Sequence, residues 1–153
     1  MKNYTSLAVV YGRAFVPKWM SALIAPVTAG ILATAKLRLS KDPQFNPTPD
    51  STIAQLAAME ADFSGYAPGG KALTLNAYVN SSGGADSYYA QVIFNAAVAT
   101  PQVSNTITGY WIDDATEFCV GERFAAGQSA AIDILGDYLG LTVLDPMQFN
   151  QVP

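Results

Sequence analysis

The sequence predicts a mainly β protein, an antiparallel β-sandwich or jelly-roll-like barrel with a helical front end. Three observations carry this. From residue 63 onward apolar and polar residues alternate, with Leu73, Leu75, Ala77 and Val79 set against Thr74, Asn76 and Tyr78. Turn-forming residues recur at short intervals, at Ser81 to Gly84, Asp113-Asp114, Ala126-Gly127 and Gly136-Asp137. Before residue 63 the pattern differs, with a helical stripe followed by a proline-rich loop.

Taken in order, Thr5 to Val16 reads as an extended arm. Pro17 suits a first helical turn, and Trp19, Leu23 and Val27 recur every four residues, which predicts a helix over about 17–25. Pro26 ends or kinks it. Leu37 to Ser40 alternates as a strand, and the three prolines within residues 41–50 predict an ordered surface loop. Thr52 and Gln55 have the spacing of a capping box, with Asp50 or Ser51 as rival caps, that opens one short helix within 51–60, with Ile53, Leu56 and Ala57 on its apolar face. Residues 72–94 read as a hairpin around Ser81 to Gly84. Further strands are expected at Thr106–Ile112, Glu117–Phe124, Ala130–Leu135 and Leu139–Leu144. Nothing resembles a linker or a repeat, so residues 1–153 read as one domain, with an N-terminal segment over 1–35 and a β-rich body over 36–153.

Composition narrows the function. Charged residues make up 13% of the chain against a usual ~25%, and half of the residues are apolar. A chain so poor in charge suits packing among copies of itself or among other subunits. The absence of histidine removes the commonest general base and the commonest transition-metal ligand. Cys119 is the sole cysteine and lies in an apolar run, which predicts a buried inert thiol. Residues 1–41 carry six cations and no acid, whereas residues 42–153 carry 12 acids and two cations, so +6 and −10 sum to the net −4. Such a split predicts a basic segment laid against an acidic surface. The cations are too dispersed for a nucleic-acid site. The uncharged stretch between Lys18 and Lys36 is interrupted by Pro26 and Gly30 and reads as a core or interface helix, not a membrane span.

Candidate chemistry is sparse. Asp113, Asp114, Glu117 and Glu122 could face one another on paired strands as a glycosidase-like carboxylate pair, but a hairpin turn followed by a charged strand step explains them more simply. Asp113, Asp114 and Glu117 could also hold a structural Ca²⁺, though they lack the alternation and the central glycine of an EF-hand. Gly69, Gly70 and Lys71 lack phosphate-loop spacing and read as a turn. Tyr88, Tyr110 and Trp111 lie on predicted strands, where rings serve sheet packing, subunit interfaces or a sugar-stacking surface. No cofactor, no resident metal and no catalytic residue are expected, so the chain reads as not an enzyme.

Residues 37–68, with a strand, a proline-rich loop, a Thr-led helix start and the tripeptide Gly65-Tyr66-Ala67, resemble a pattern found in small virion structural proteins of tailed bacteriophages. So do Gly109-Tyr110-Trp111-Ile112 and Glu122-Arg123-Phe124. The resemblance implies a head decoration, a spike or a tail-associated protein, located in the virion, homo-oligomeric and in contact with major capsid or tail proteins. It brings no functional site with it. The expected assembly element is the basic, apolar N-terminal segment, with Arg13, Lys18, Trp19 and Leu23 as candidate interface residues. The competing expectation is a glycan-binding spike using Tyr88, Tyr110 and Trp111.

Overall fold

The computed structural model describes residues 6–11, 35–79 and 85–141, with backbone pairing alone for 6–11, 75–79 and 85–89. The expected helix over 17–25, and with it Arg13, Lys18, Trp19 and Leu23, lies outside the described residues. The strands are β1 (Ser6–Tyr11), β2 (Lys36–Ser40), β3 (Lys71–Ala72), β4 (Leu75–Val79), β5 (Ala85–Tyr89) and β6 (Val92–Asn95). They continue with β7 (Asn105–Ile107), β8 (Gly109–Asp113), β9 (Phe118–Phe124), β10 (Ala130–Ile132) and β11 (Tyr138–Leu141). Among the described residues one helix, α1 (Ile53–Ala57), sits between β2 and β3. Every pairing among them is antiparallel, so the chain has the expected mainly β, antiparallel fold.

The main sheet has five strands in the order β1-β9-β8-β2-β3. Its register places Leu37 opposite Ile112, Ile112 opposite Val120, and Val120 opposite Tyr11. Because side chains alternate across a pleated strand, Leu37, Leu39, Tyr110, Ile112 and Val120 share one face. That face closes on Phe63, Phe94, Ile107, Ile132 and Leu139 to form the principal core. The opposing layer consists of two-stranded ribbons, β7 with β10 and β6 with β11. The predicted strand 106–112 is therefore two strands. The chain bends at Thr108, whose N–H donates to the Ser40 carbonyl (2.9 Å) and whose hydroxyl donates to that of Asp42 (2.6 Å), and passes from one layer to the other.

The other face of the main sheet carries a smaller core of Phe45, Leu56, Trp111 and Phe118. Glycine makes room for it. A Cβ on Gly109 would lie 2.5 Å from the Glu122 carbonyl oxygen and 2.6 Å from the Phe45 ring. The proline-rich loop is thus more than a surface loop, since Phe45 turns inward and is fully buried. Helix α1 is capped as its sequence predicts. The Thr52 hydroxyl accepts the Gln55 N–H and the Gln55 side chain accepts the Thr52 N–H, while Leu56 faces the small core.

Three further expectations are revised. The hairpin expected over 72–94 is confined to β4 and β5, because Leu73 N–H bonds to the Ala35 carbonyl and β6 turns away to pair with β11. The strand expected to reach Leu135 ends at Ile132, because the Asp137 carboxylate accepts the N–H groups of Asp133 and Ile134 and starts a turn. The supposed arm contributes β1, an edge strand of the main sheet, so the body does not begin at residue 36. No helix among the described residues is long and apolar enough to cross a membrane.

Candidate functional site

The most connected polar group is a junction centred on Arg38, on the same sheet face as Trp111. Its Nε lies 2.6 Å from Asp113 Oδ2, and its Nη2 donates to Asp113 Oδ1 at 3.2 Å. Nη1 reaches Glu60 Oε2 at 3.3 Å. Glu60 Oε1 in turn accepts the Tyr66 hydroxyl (2.8 Å) and the Gly69 N–H (2.9 Å), and the Tyr66 oxygen accepts the Leu39 N–H. Burial works against the Arg38 charge, yet the hydrogen bonds and charges of Asp113 and Glu60 outweigh it and raise the guanidinium above its ordinary pKa. Burial, assisted by Glu60, also pushes the Tyr66 phenol far above its ordinary value. Asp113 is completely shielded from solvent, so a substrate cannot reach it without unfolding the site. The junction joins β2, β8 and the segment between α1 and β3, and its chemistry is that of a fastener.

The acids singled out from the sequence are not brought together. Asp113 turns to Arg38. Asp114 closes its own loop, its Oδ1 accepting the N–H groups of Thr116 and Glu117 at 2.9 and 2.8 Å. Glu122 stands across from Tyr110 and accepts its hydroxyl on the opposite face of the sheet. Among the described residues no three acidic or sulfur side chains converge in a way that could hold a metal ion. The loop between β8 and β9 contains Ala115 at φ 74°, and β9 begins with a bulge. Asp113 pairs with Phe118 and Ile112 with Val120, which leaves Cys119 as the extra residue. Phe118 therefore enters the small core, while Cys119 and Val120 both enter the principal one.

The expected aromatic surface is corrected. Trp111 has no exposed area and packs on Phe45 at 5.9 Å between ring centroids. Tyr110 is buried against Phe124 at 6.5 Å. Neither offers a ring face to a sugar. Tyr88 pairs with Asn76 on β5, and its side chain is outside the described residues. The motif residues Tyr66, Tyr110 and Glu122 instead make hydrogen bonds within the fold, and Gly109 leaves room for Phe45.

The surface offers two features that sequence reading missed. One is an open cleft of about 290 Å³ lined by Pro43, Thr106, Arg123 and the turn at Ala126-Gly127. Arg123 Nη2 donates there to the Pro43 carbonyl at 2.8 Å. The other is apolar. Ile134 (63% exposed), Leu135 (66%) and Tyr138 (56%) lie in and just after the turn into β11, and Ile93 shares the outward face of the β6–β11 ribbon with Tyr138. By sequence alone Ile134 and Leu135 belong to a strand that ends at the Gly136-Asp137 turn. Only the early end of β10 shows that they face outward. No family of proteins, no curated protein and no solved structure matches this chain.

Proposed function

We propose that the chain is a non-enzymatic structural component of a virus particle, a capsid or tail protein of a tailed phage that assembles through its basic, apolar N-terminal region. One geometric observation carries the reading. Tyr11 and Leu37 fall in the same cross-strand row, with β9 and β8 between their strands. Three strand spacings amount to about 14 Å, which about five extended residues span. The sequence spends residues 12–35 on that step, 24 residues in which Arg13 and Lys18 are the only charges. That is far more chain than closure requires, and its composition is that of a contact element. The assembly segment thereby narrows from 1–35 to the insertion between β1 and β2. Low overall charge and a sealed polar junction support the same reading.

The test replaces residues 12–34 with a Gly/Ser linker of about eight residues, ample for the gap. The shortened chain should keep the circular dichroism and thermal unfolding of the parent and lose incorporation into particles. Incorporation at the parental level would overturn the proposal.

A further inference from the structure

We infer that the apolar surface formed by Ile93, Ile134, Leu135 and Tyr138 receives the 12–34 segment of a second copy of this chain, an inference that rests on the assembly role proposed above. Exposed apolar side chains are ordinary when scattered, but here three of them occupy five consecutive positions, and Ile93 lies diagonally across the β6–β11 ribbon from Tyr138 on the same face. The register explains their exposure. Val92, Phe94 and Leu139 point into the core, so Ile93 and Tyr138 must point out. The turn that presents Ile134 and Leu135 is fixed rather than loose. Asp137 N–H donates to the Ile134 carbonyl at 3.1 Å, and Gly136 takes the positive φ of 101° that the turn needs.

Charge selects the occupant. The turn places the carboxylates of Asp133, which is exposed, and Asp137, which is half-buried and accepts the N–H groups of Asp133 and Ile134, beside the apolar residues. Lys71, at the Ile93 end, is already committed to the Ile93 carbonyl (2.7 Å) and to the Phe94 ring (5.3 Å). An apolar surface with an acidic rim calls for an apolar segment that carries cations and no acid. Residues 12–34 fit this description, with Arg13, Lys18, Trp19, Leu23 and no acid. Length allows the match, since the segment exceeds its own span by nearly twenty residues at about 3.3 Å each when extended. Segment and receiving surface are different parts of the molecule, so two copies that exchange segments close a two-fold dimer, and copies that each pass the segment to the next build rings or filaments, the arrangements of which particles are built.

The experiment compares the full chain with two variants by size-exclusion chromatography and light scattering, after circular dichroism has verified that each is folded. One is the double substitution Leu135→Asp, Tyr138→Asp at two exposed positions; the other is the linker replacement of 12–34. The full chain should self-associate, and each variant should weaken association at least about tenfold, as truncation of an interface centre does. Mixing the two should restore association, limited to a 1:1 pair, because the first variant retains a segment and the second retains a receiving surface. If the double variant associates like the parent while the linker variant does not, the receiving surface is elsewhere and the assembly role stands. If both variants associate like the parent, both readings fall. A monomeric full chain, or a mixture that stays monomeric, also overturns the inference.

Discussion

Tyr11 and Leu37 stand in one row of the main sheet although 25 residues separate them in sequence. The relationship makes β1 part of the folded body, where it covers the outer edge of β9. Truncation through Tyr11 should therefore destabilise the protein, lowering the urea midpoint, and should expose an edge prone to pairing with other chains. Linker replacement of 12–34 should leave the midpoint unchanged. Equal midpoints for the two would show that β1 contributes nothing to the body.

Asp113 is fully buried, and Arg38, partly exposed, also pairs with Glu60, so removing Arg38 strands the Asp113 carboxylate whereas removing Asp113 leaves Arg38 a partner. Arg38→Met should cost about 3–5 kcal/mol in chemical denaturation, the usual range for an uncompensated buried charge, and Asp113→Ala should cost less. A double-mutant cycle of the two should give a coupling of about 1 kcal/mol or more. Additive effects would mean that the pair is held by its separate contacts.

Gly109 lies beneath Phe45 with no room for a side chain. Gly109→Ala should destabilise by about 1–3 kcal/mol, the range for overpacking a filled site. Combining it with Phe45→Leu should recover part of the loss, as thermal unfolding of the three variants would show.

Asp62 pairs with Lys41 at 2.5 Å and accepts a hydrogen bond from the Asn105 side chain. Both interactions, Lys41 first, hold its carboxyl below the ordinary value. A depressed carboxyl pKa adds stability that is complete above the unfolded value of about 3.9 and is lost as pH falls through the folded one. Asp62→Asn should therefore flatten the stability profile below about pH 4. The pair is exposed, so the effect is screened to at most about 1 kcal/mol, and salt should reduce it. Urea unfolding at several pH values measures it, and a parental acid limb in the variant would refute the assignment.

Buried Trp111 also changes how a glycan-binding reading can be examined. Trp111→Ala would empty the small core and cost about 3–5 kcal/mol, so binding lost in that variant would report unfolding. Asp133 and Tyr138 are better handles on the surface, because their side chains face solvent.

Local sequence by itself determined the antiparallel β character, the capped helix at Thr52 and most turns. Alternation, capping chemistry and glycine placement act over a few residues, and they are written where they act. It did not determine where strands change partner. The alternation of 105–113 runs on while its hydrogen bonds pass from one layer to the other at Thr108, and that bend depends on the carbonyls of Ser40 and Asp42, far away in sequence. Nor could it separate an inward ring from an outward one. Tyr110 and Trp111 are buried on opposite faces because helix α1 and Phe45 cover the second face, which a sheet with one wet side would leave open. The candidate site divides in the same way. The cations and apolar residues of 12–34 were legible as composition. That they form an insertion between two anchored strands, and that an acidic-rimmed apolar surface lies on β6 and β11, follows only from cross-strand register, which depends on pairing between distant segments.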